Sequence, residues 1–600
     1  MADAIVYTLG VLVFFALVAC FARWKERREE ERAPMTLDDT FVALGSPSST
    51  NAFDRRIQAA IRRRRLWMRS VSSDDDQVEW RYNEELEGEK SGKDLYYTLH
   101  LSVSSTATTR KNPADKLTTQ TPSLGAVECD GQPSDVVLDI AIEADEERCL
   151  SQPTLDQVAA DLRKEVANVI FEVSHTSDGD KCDLLSIFSD TAPSLQDIKD
   201  NVANAHLDFP SKLAQFITAT SSVFLRAANN PETATVRSTH LHINRQCLLE
   251  DSVQAIAKLS PQESRGAIRV DFVDEQGIDA GGVYREWFLL LSEEILKPEA
   301  GVFICVDQVE LTFYLNPNSR EVLGDSHLVH FLVAGRLLGR ALLEGNVTGF
   351  HLASPLLKVI LGLPVGISDL EFFDPEVHKN LMWLLQNDGV EALGLDFTTA
   401  ESSFSSQPRV IDLITGGSSI DVTDHNKHEY VELKFKHMLF NSVRDQMTAF
   451  LKGLYEVVPS ELLMLFDAEE LDYVVSGSDE IDAHDWHRNS QISGNLRLHP
   501  ALKNFWKVVG ELSLDEKRRL LQFATGSTRV PPGGFAALTS FDGRQCAFTL
   551  HGMPVWRTRG YLRSHACFNR LDLPLHPDLK SMRNAIAAAI AVDSFGFTAN

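Results

Sequence analysis

The first apolar stretch of the chain runs from Ala4 to Ala22, 19 residues without a charge and rich in Val, Leu, Phe and Ala. That is about the length a bilayer core requires, and it predicts a membrane span. Residues 32–51 then turn polar, with Pro, Ser and Thr, and read as a linker. Phe53, Ile57, Ile61 and Met68 fall near one side of a predicted helix, with arginines at 55, 56, 62, 63, 64, 65 and 69 around them. Two segments, 95–104 and 136–144, alternate or run apolar as strands do, on either side of the Thr/Ser/Pro-containing stretch 106–123. From Leu155 to Val173 the apolar positions 155, 158, 162, 166, 169 and 170 take helical spacing. Ile268–Phe272 alternates like a strand. Helical apolar faces recur at 505–509 and 520–523.

Length changes the picture first: 600 residues are too many for one core, so two or more domains are expected. A net charge of −27 argues against a nucleic-acid partner. Eight cysteines are scattered without a CxxC pair, as expected of a reducing compartment without structural zinc. Arg23, Lys25, Arg27 and Arg28 follow the apolar run and no basic residue precedes it, which places the C-terminal bulk in the cytosol. A cleaved signal peptide, or a lipoprotein box at Leu17–Cys20, would need the basic leader that is missing here. The seven arginines at 55–69 suit anionic headgroups, at about 1 kcal/mol each near a membrane surface, or equally a solvated basic arm. The acidic tract that starts at Asp74 is placed to neutralise them in cis.

The candidate chemistry lies near the end, in the stretch Tyr561–Pro574. Cys567 follows His565 by two residues, with Arg570 and Asp572 close behind. A thiol attacks as its thiolate, roughly 3% of the population at pH 7 for a pKa of about 8.5, and neighbouring cations raise that share. Composition alone favours a buried structural thiol. His484, Asp485 and His487 lack an evident third ligand, so no metal is expected. The Gly281-Gly282 turn is not followed by the lysine of a phosphate-binding loop, which disfavours nucleotide binding.

The string His565-Ala566-Cys567-Phe568-Asn569-Arg570-Leu571-Asp572-Leu573-Pro574 resembles the catalytic-cysteine segment of the HECT family of ubiquitin ligases, with Ala566 where the family usually has Thr. Gly277–Phe288, Phe331–Leu342, Leu381–Gly389, Gln446–Gly453 and Thr525–Phe535 follow in the family's order, so the resemblance covers roughly residues 206 to 600. It implies an α+β fold: a bilobal HECT domain, with a mainly helical large N-lobe and an α/β small C-lobe, behind the N-terminal transmembrane helix. The expected organisation is a short tail at 1–3, the span at 4–22, a basic juxtamembrane linker at 23–74, an uncharacterised region at 75–205, the N-lobe at 206–491, a hinge at 492–497 and the C-lobe at 498–600. Within the N-lobe, 369–404 matches the subdomain that docks the ubiquitin-conjugating enzyme. Its candidate contacts are Leu381, Leu384 and Leu385 on a helix, then Leu393, Leu395 and Phe397 on a strand, some of which must be core because a helix shows only one face. Ser493, Gly494 and Asn495 are the candidate hinge.

The implied reaction is two acyl transfers without a cofactor. Cys567 takes ubiquitin from the conjugating enzyme as a thioester, and a substrate lysine then attacks it. His565 orients the site or moves protons in this reading, Phe597 assists the second step, and Arg285, Glu286, Trp287 and Arg529 are structural. The rival readings are a membrane scaffold that binds conjugating enzymes without accepting ubiquitin, and a cysteine hydrolase of ubiquitin. Protein substrates are not legible in the sequence.

Overall fold

The structure is a computed structural model that describes residues 67–72, 77–83, 96–103, 153–182, 186–188, 194–229, 239–273, 275, 282–307, 311–401, 409–478, 480–539 and 546–591. The predicted span at 4–22, the apolar face of Phe53, Ile57 and Ile61, the strand at 136–144 and Phe597 lie outside them. No helix of the described residues is long and apolar enough to cross a membrane.

Strands β1 (Trp67–Val71) and β2 (Val78–Tyr82) form an antiparallel ladder. The basic helix therefore does not extend to Met68, because Trp67, Val78 and Trp80 bury their side chains in this ladder. β3 (Tyr96–Val103) pairs antiparallel with β4 (Val169–His175), and helix α1 (Leu155–Ala167) precedes β4. The helix expected over 155–173 thus ends early. Thr154 and Gln157 cap its start reciprocally, and Val169, Phe171 and Val173 alternate in the strand that follows. Next come α2 (Phe209–Asn229), the parallel pair β5 (Thr239–Ile243) and β6 (Ile268–Phe272) with α3 (Leu248–Ala257) between them, and α4 (Gly282–Glu294). The antiparallel pair β7 (Phe303–Asp307) and β8 (Thr312–Leu315) leads into the buried helix α5 (His327–Glu344). β9 (Val365–Gly366) then joins the free side of β3, so one sheet runs β4-β3-β9.

The described strand β3, helix α1 and strand β4 therefore pack with the large lobe. Tyr97, Leu99, Leu101, Leu162 and Val166 share one hydrophobic core with α5 and with α6 (Arg444–Val457). Lys212 on α2 forms a buried ion pair at 3.0 Å with Glu470 of α7 (Ala468–Ser476).

α5 and α6 cross at their glycines. A Cβ built on Gly335 would sit 2.0 Å from the Phe450 carbonyl oxygen, and one on Gly453 would sit 2.0 Å from that of Leu332. Arg336 of α5 donates to Glu456 of α6 at 2.7 Å and to the Ile256 carbonyl at 2.7 Å. Burial alone would push the Glu456 carboxyl up, but Arg336 and Lys452 beside it hold it below the usual range.

The first core ends at Val475 and the second begins at Ile481. Helix α8 (Ala483–Arg488) already belongs to the second core through Trp486, as do α9 (Pro500–Glu511), α10 (Leu514–Thr525) and α11 (Leu579–Ala591). Their sheet is built from β12 (Gln491–Ile492), β13 (Thr549–Met553), β14 (Arg563–His565) and β15 (Arg570–Pro574), ordered β12-β13-β15-β14. β13 runs parallel to β12 and β15, and β14 is antiparallel to β15.

This moves the hinge. The Ser493 amide donates to Leu550 at 3.0 Å, Asn495 Nδ2 donates to the Gly552 carbonyl at 2.7 Å, and Leu496 is wholly buried, so Ser493, Gly494 and Asn495 lie inside the small lobe. The connection between the cores is at Gly477, with φ +65°, and Ser478, which exchanges backbone hydrogen bonds with Val530.

Two outcomes follow from this packing. Gly453→Ala forces a methyl into a backbone carbonyl that cannot step aside, and it should cost more than the roughly 1–3 kcal/mol of ordinary overpacking. Gly510→Ala, where nothing lies within 4 Å, should be neutral or stabilise by up to about 1 kcal/mol. Thermal melting of the two variants compares them, and equal melting temperatures would refute the crossing constraint. Leu162→Ala should lower the stability of the large lobe by about 2–5 kcal/mol, read by urea unfolding. An effect below about 0.5 kcal/mol would make the N-terminal elements an appendage.

Candidate active site

Cys567 stands in a single 3-10 turn, Ala566–Phe568, at the tip of the β14–β15 hairpin. Asn569 closes the turn in the left-handed region, φ 48°, a conformation that asparagine tolerates better than most residues with a side chain. Its fully buried side chain is held on both sides: Nδ2 donates to the carbonyls of Thr539 at 2.9 Å and Cys546 at 2.8 Å. The Cys546 thiol donates to the Phe568 carbonyl at 3.3 Å.

The strand register brings a second group to the hairpin base. β14–β15 pairing sets His565 opposite Arg570, and β13–β15 pairing sets His551 opposite Asp572. Asp572, only 5% exposed, is the hub. Its carboxylate accepts from Arg570 at 2.8 Å and faces His565 Nε2 at 3.1 Å and His551 Nδ1 at 3.5 Å. A buried carboxylate needs such partners, and here they fix the ring of His565, two residues from the cysteine. The His565 imidazole is thus positioned through a carboxylate and a second histidine that spacing along the chain does not bring together.

From the large lobe, Arg285 on α4 reaches this turn. Its Nη1 donates to the Ala566 carbonyl at 3.2 Å, to Asn569 Oδ1 at 3.1 Å and to the Thr525 carbonyl at 3.2 Å, and Nη2 donates to the Thr539 carbonyl. Its neighbours are core residues: Trp287 donates to Ser252 at 2.8 Å, and Glu286 accepts from Arg245 at 2.8 Å. Tyr284 donates to Glu344 at 2.9 Å, with burial raising its phenol well above the usual range. Sequence reading assigned Arg285 to structure alone; no signal in its motif pointed across the lobe boundary. Arg529 bridges in the other direction, donating to the Ser476 carbonyl at 2.9 Å and lying 2.7 Å from His351 Nε2. A cavity of about 50 Å³ lies between the lobes, lined by Arg285, Phe288, Asn346, Ser527 and Arg529 among others.

The predicted docking residues separate. Leu381 and Leu384 on the helix Pro375–Gln386, which lies between α5 and α6 in the chain and is called α12, and Phe397 are core, each at most 4% exposed. Leu385 and Leu395 are partly buried against that core, and Leu393 is 49% exposed. The strand expected at 393–397 is instead a 3-10 turn at Val390–Leu393 followed by loop. Trp383, 48% exposed on the same helix and not anticipated, shows its indole to solvent.

Two large cores joined by a short connection, with the turn that carries Cys567 tied to the larger one through Arg285, make a two-lobed domain. The family model described as HECT-domain (ubiquitin-transferase) matches residues 289–599, and the chain belongs to that family. An E3 ubiquitin-protein ligase TOM1-like from Neurospora crassa is 37% identical over 360 residues, 60% of this chain and 9% of that protein. E3 ubiquitin-protein ligase HACE1 from Danio rerio is 37% identical over 361 residues, 60% of this chain and 39% of the relative. E3 ubiquitin-protein ligase RSP5 from Emericella nidulans is 33% identical over 359 residues, 60% and 43% respectively. The chain thus spans less than half the length of each of these curated relatives.

Asp572→Asn removes the charge that gathers Arg570, His565 and His551. With those partners half-open to solvent, the small lobe should lose about 1–3 kcal/mol, measured by denaturant unfolding followed through tryptophan fluorescence. No loss would mean that the hub does not order the hairpin.

Proposed function

We propose that this chain is a HECT-type ubiquitin-protein ligase. Cys567 attacks the thioester carbonyl of ubiquitin carried by a conjugating enzyme, whose own thiolate leaves. A substrate lysine amine then attacks the Cys567 thioester, gives up a proton, and releases the Cys567 thiolate as the isopeptide bond forms. The observation that carries this reading is the family match, which encloses the hairpin with Cys567. The relatives' printed names support it.

The conjugating enzyme docks on the subdomain around α12 in this reading, and Trp383 and Leu393 are among the apolar groups exposed there. Phe597 assists the second step by resemblance to the family. The uncharged run 4–22 and the basic residues after it support a single membrane span with the catalytic lobes in the cytosol, and no metal or other cofactor takes part.

The full chain, mixed with ubiquitin, activating enzyme, a panel of conjugating enzymes and ATP, should give a ubiquitin adduct on non-reducing gels. Thiol reductant should remove that adduct, and Cys567→Ala should abolish it. Folded protein that forms no such adduct with any conjugating enzyme would instead favour a scaffold.

A further inference from the structure

The guanidinium of Arg285 is the meeting point of three stretches of the small lobe that are distant in sequence. Thr525 ends α10, Thr539 precedes β13, and Ala566 and Asn569 belong to the turn that carries Cys567. All four acceptors are oxygens, three of them backbone carbonyls. Converging carbonyls repel one another unless a cation or several donors lie between them, and a planar fork with donors on separate nitrogens serves acceptors on two sides at once. The side chain of Asn569 completes the arrangement, because the Thr539 carbonyl receives both Arg285 and Asn569 Nδ2. The fork itself is aimed by buried neighbours on α4, Tyr284, Glu286 and Trp287.

Docking occupies one side of the turn. Phe568 remains 52% exposed and the His565 side chain 46% exposed, so the turn keeps an open side while its backbone is tied to α4. The tie runs to α4 and not to α12, where Trp383 and Leu393 offer an apolar surface. Receiving ubiquitin from an enzyme docked at α12 therefore calls for a different placement of the turn, and the hydrogen bonds to Arg285 must open first.

We propose that Arg285 is a positioning residue for the second transfer: it fixes the Cys567 turn against the large lobe in the arrangement in which the acceptor lysine attacks. This rests on the ligase reading above. These contacts are to backbone carbonyls and to the Asn569 side chain, and through them Arg285 acts by holding the cysteine-bearing segment still.

The test separates the two steps on the full chain. Wild type, Arg285→Ala and Arg285→Lys are charged with labelled ubiquitin from a conjugating enzyme, charging is quenched, and the thioester is chased with ubiquitin lacking its C-terminal glycines as lysine donor. Arg285→Ala should charge at a rate within two-fold of wild type or faster, and should discharge to the acceptor at least ten-fold more slowly. Arg285→Lys, which keeps the charge but not the fork, should fall between the two. Normal discharge by Arg285→Ala would overturn the proposal and leave Arg285 as a lock on a resting state. Equal losses in both steps, or a lowered melting temperature that accounts for them, would overturn it in favour of a purely structural role. A wild-type chain that forms no thioester would overturn the ligase reading itself, an outcome distinct from either of these.

Discussion

Everything in the large lobe is placed by the crossing of α5 and α6, where Gly335 and Gly453 let two backbones meet at a separation that excludes a Cβ on either side. With the helices so close, side chains that flank the crossing have fixed directions. Arg336 and Arg340 project from α5 toward α3 and α4, where Arg336 donates to the Ile256 carbonyl and Arg340 to the Tyr284 hydroxyl, while Glu344 at the end of α5 accepts from both Arg340 and Tyr284. Tyr284 precedes Arg285 in sequence. The order of dependence runs from helix crossing, to buried arginine, to the start of α4, to the fork that meets the Cys567 turn, so a methyl group more than one element away from the cysteine can disturb the turn's docking.

The buried charges along this path are expensive, because each removes an ion from water and recovers the cost only through close, complete pairing. Arg336 is matched by Glu456, which also takes Lys452 at 2.7 Å, and Lys212 is matched by Glu470. Apolar residues of the same volume would hold the lobe together as well. What the ionic pairs add is direction: a guanidinium that must reach a particular carboxylate and a particular carbonyl admits one relative placement of α3, α5 and α6. In a protein whose chemistry depends on aiming a single arginine across a lobe boundary, such uniqueness of placement is worth its cost.

Local pattern made much of this legible. The string with two glycines at 331–342, which resembles the family's core helix, became α5, the alternation at 268–272 became β6, and the cysteine string marked the hairpin. The readings that failed were those decided by partners far along the chain. Ser493, Gly494 and Asn495 look like a linker because they are small and polar, yet Ser493 and Asn495 find acceptors on β13, more than fifty residues later, and Leu496 beside them enters the core. The described strands and helix within 75–205 carried no recognisable module because their partners lie elsewhere: β3 has its second partner at Val365, a pairing that no window of sequence contains. Val169, Phe171 and Val173 did carry the strand signal, period two, but the helical spacing before them masked it. Among the docking candidates, an apolar helix with leucines on one face and Trp383 on another does not announce which face meets the core, and the structure gives the core to Leu381 and Leu384.

The two lobes divide the work on the cysteine turn by the kind of atom they touch. Inside the small lobe, side chains and register set the chemistry: Asp572 holds His565 and His551 because β13, β14 and β15 align them. From the large lobe, Arg285 meets the carbonyl of residue 566 and not its side chain. The exchange of the family's usual threonine for Ala566 therefore leaves the docking contact intact, since alanine and threonine present the same carbonyl. Any consequence of that exchange for reactivity must come from the missing hydroxyl beside the thiol, and not from a turn that is placed differently. A site built in this way tolerates variation next to its nucleophile as long as the backbone keeps its course, and Asn569, able to take the left-handed conformation and buried between Arg285 and two carbonyls, is the residue that keeps it.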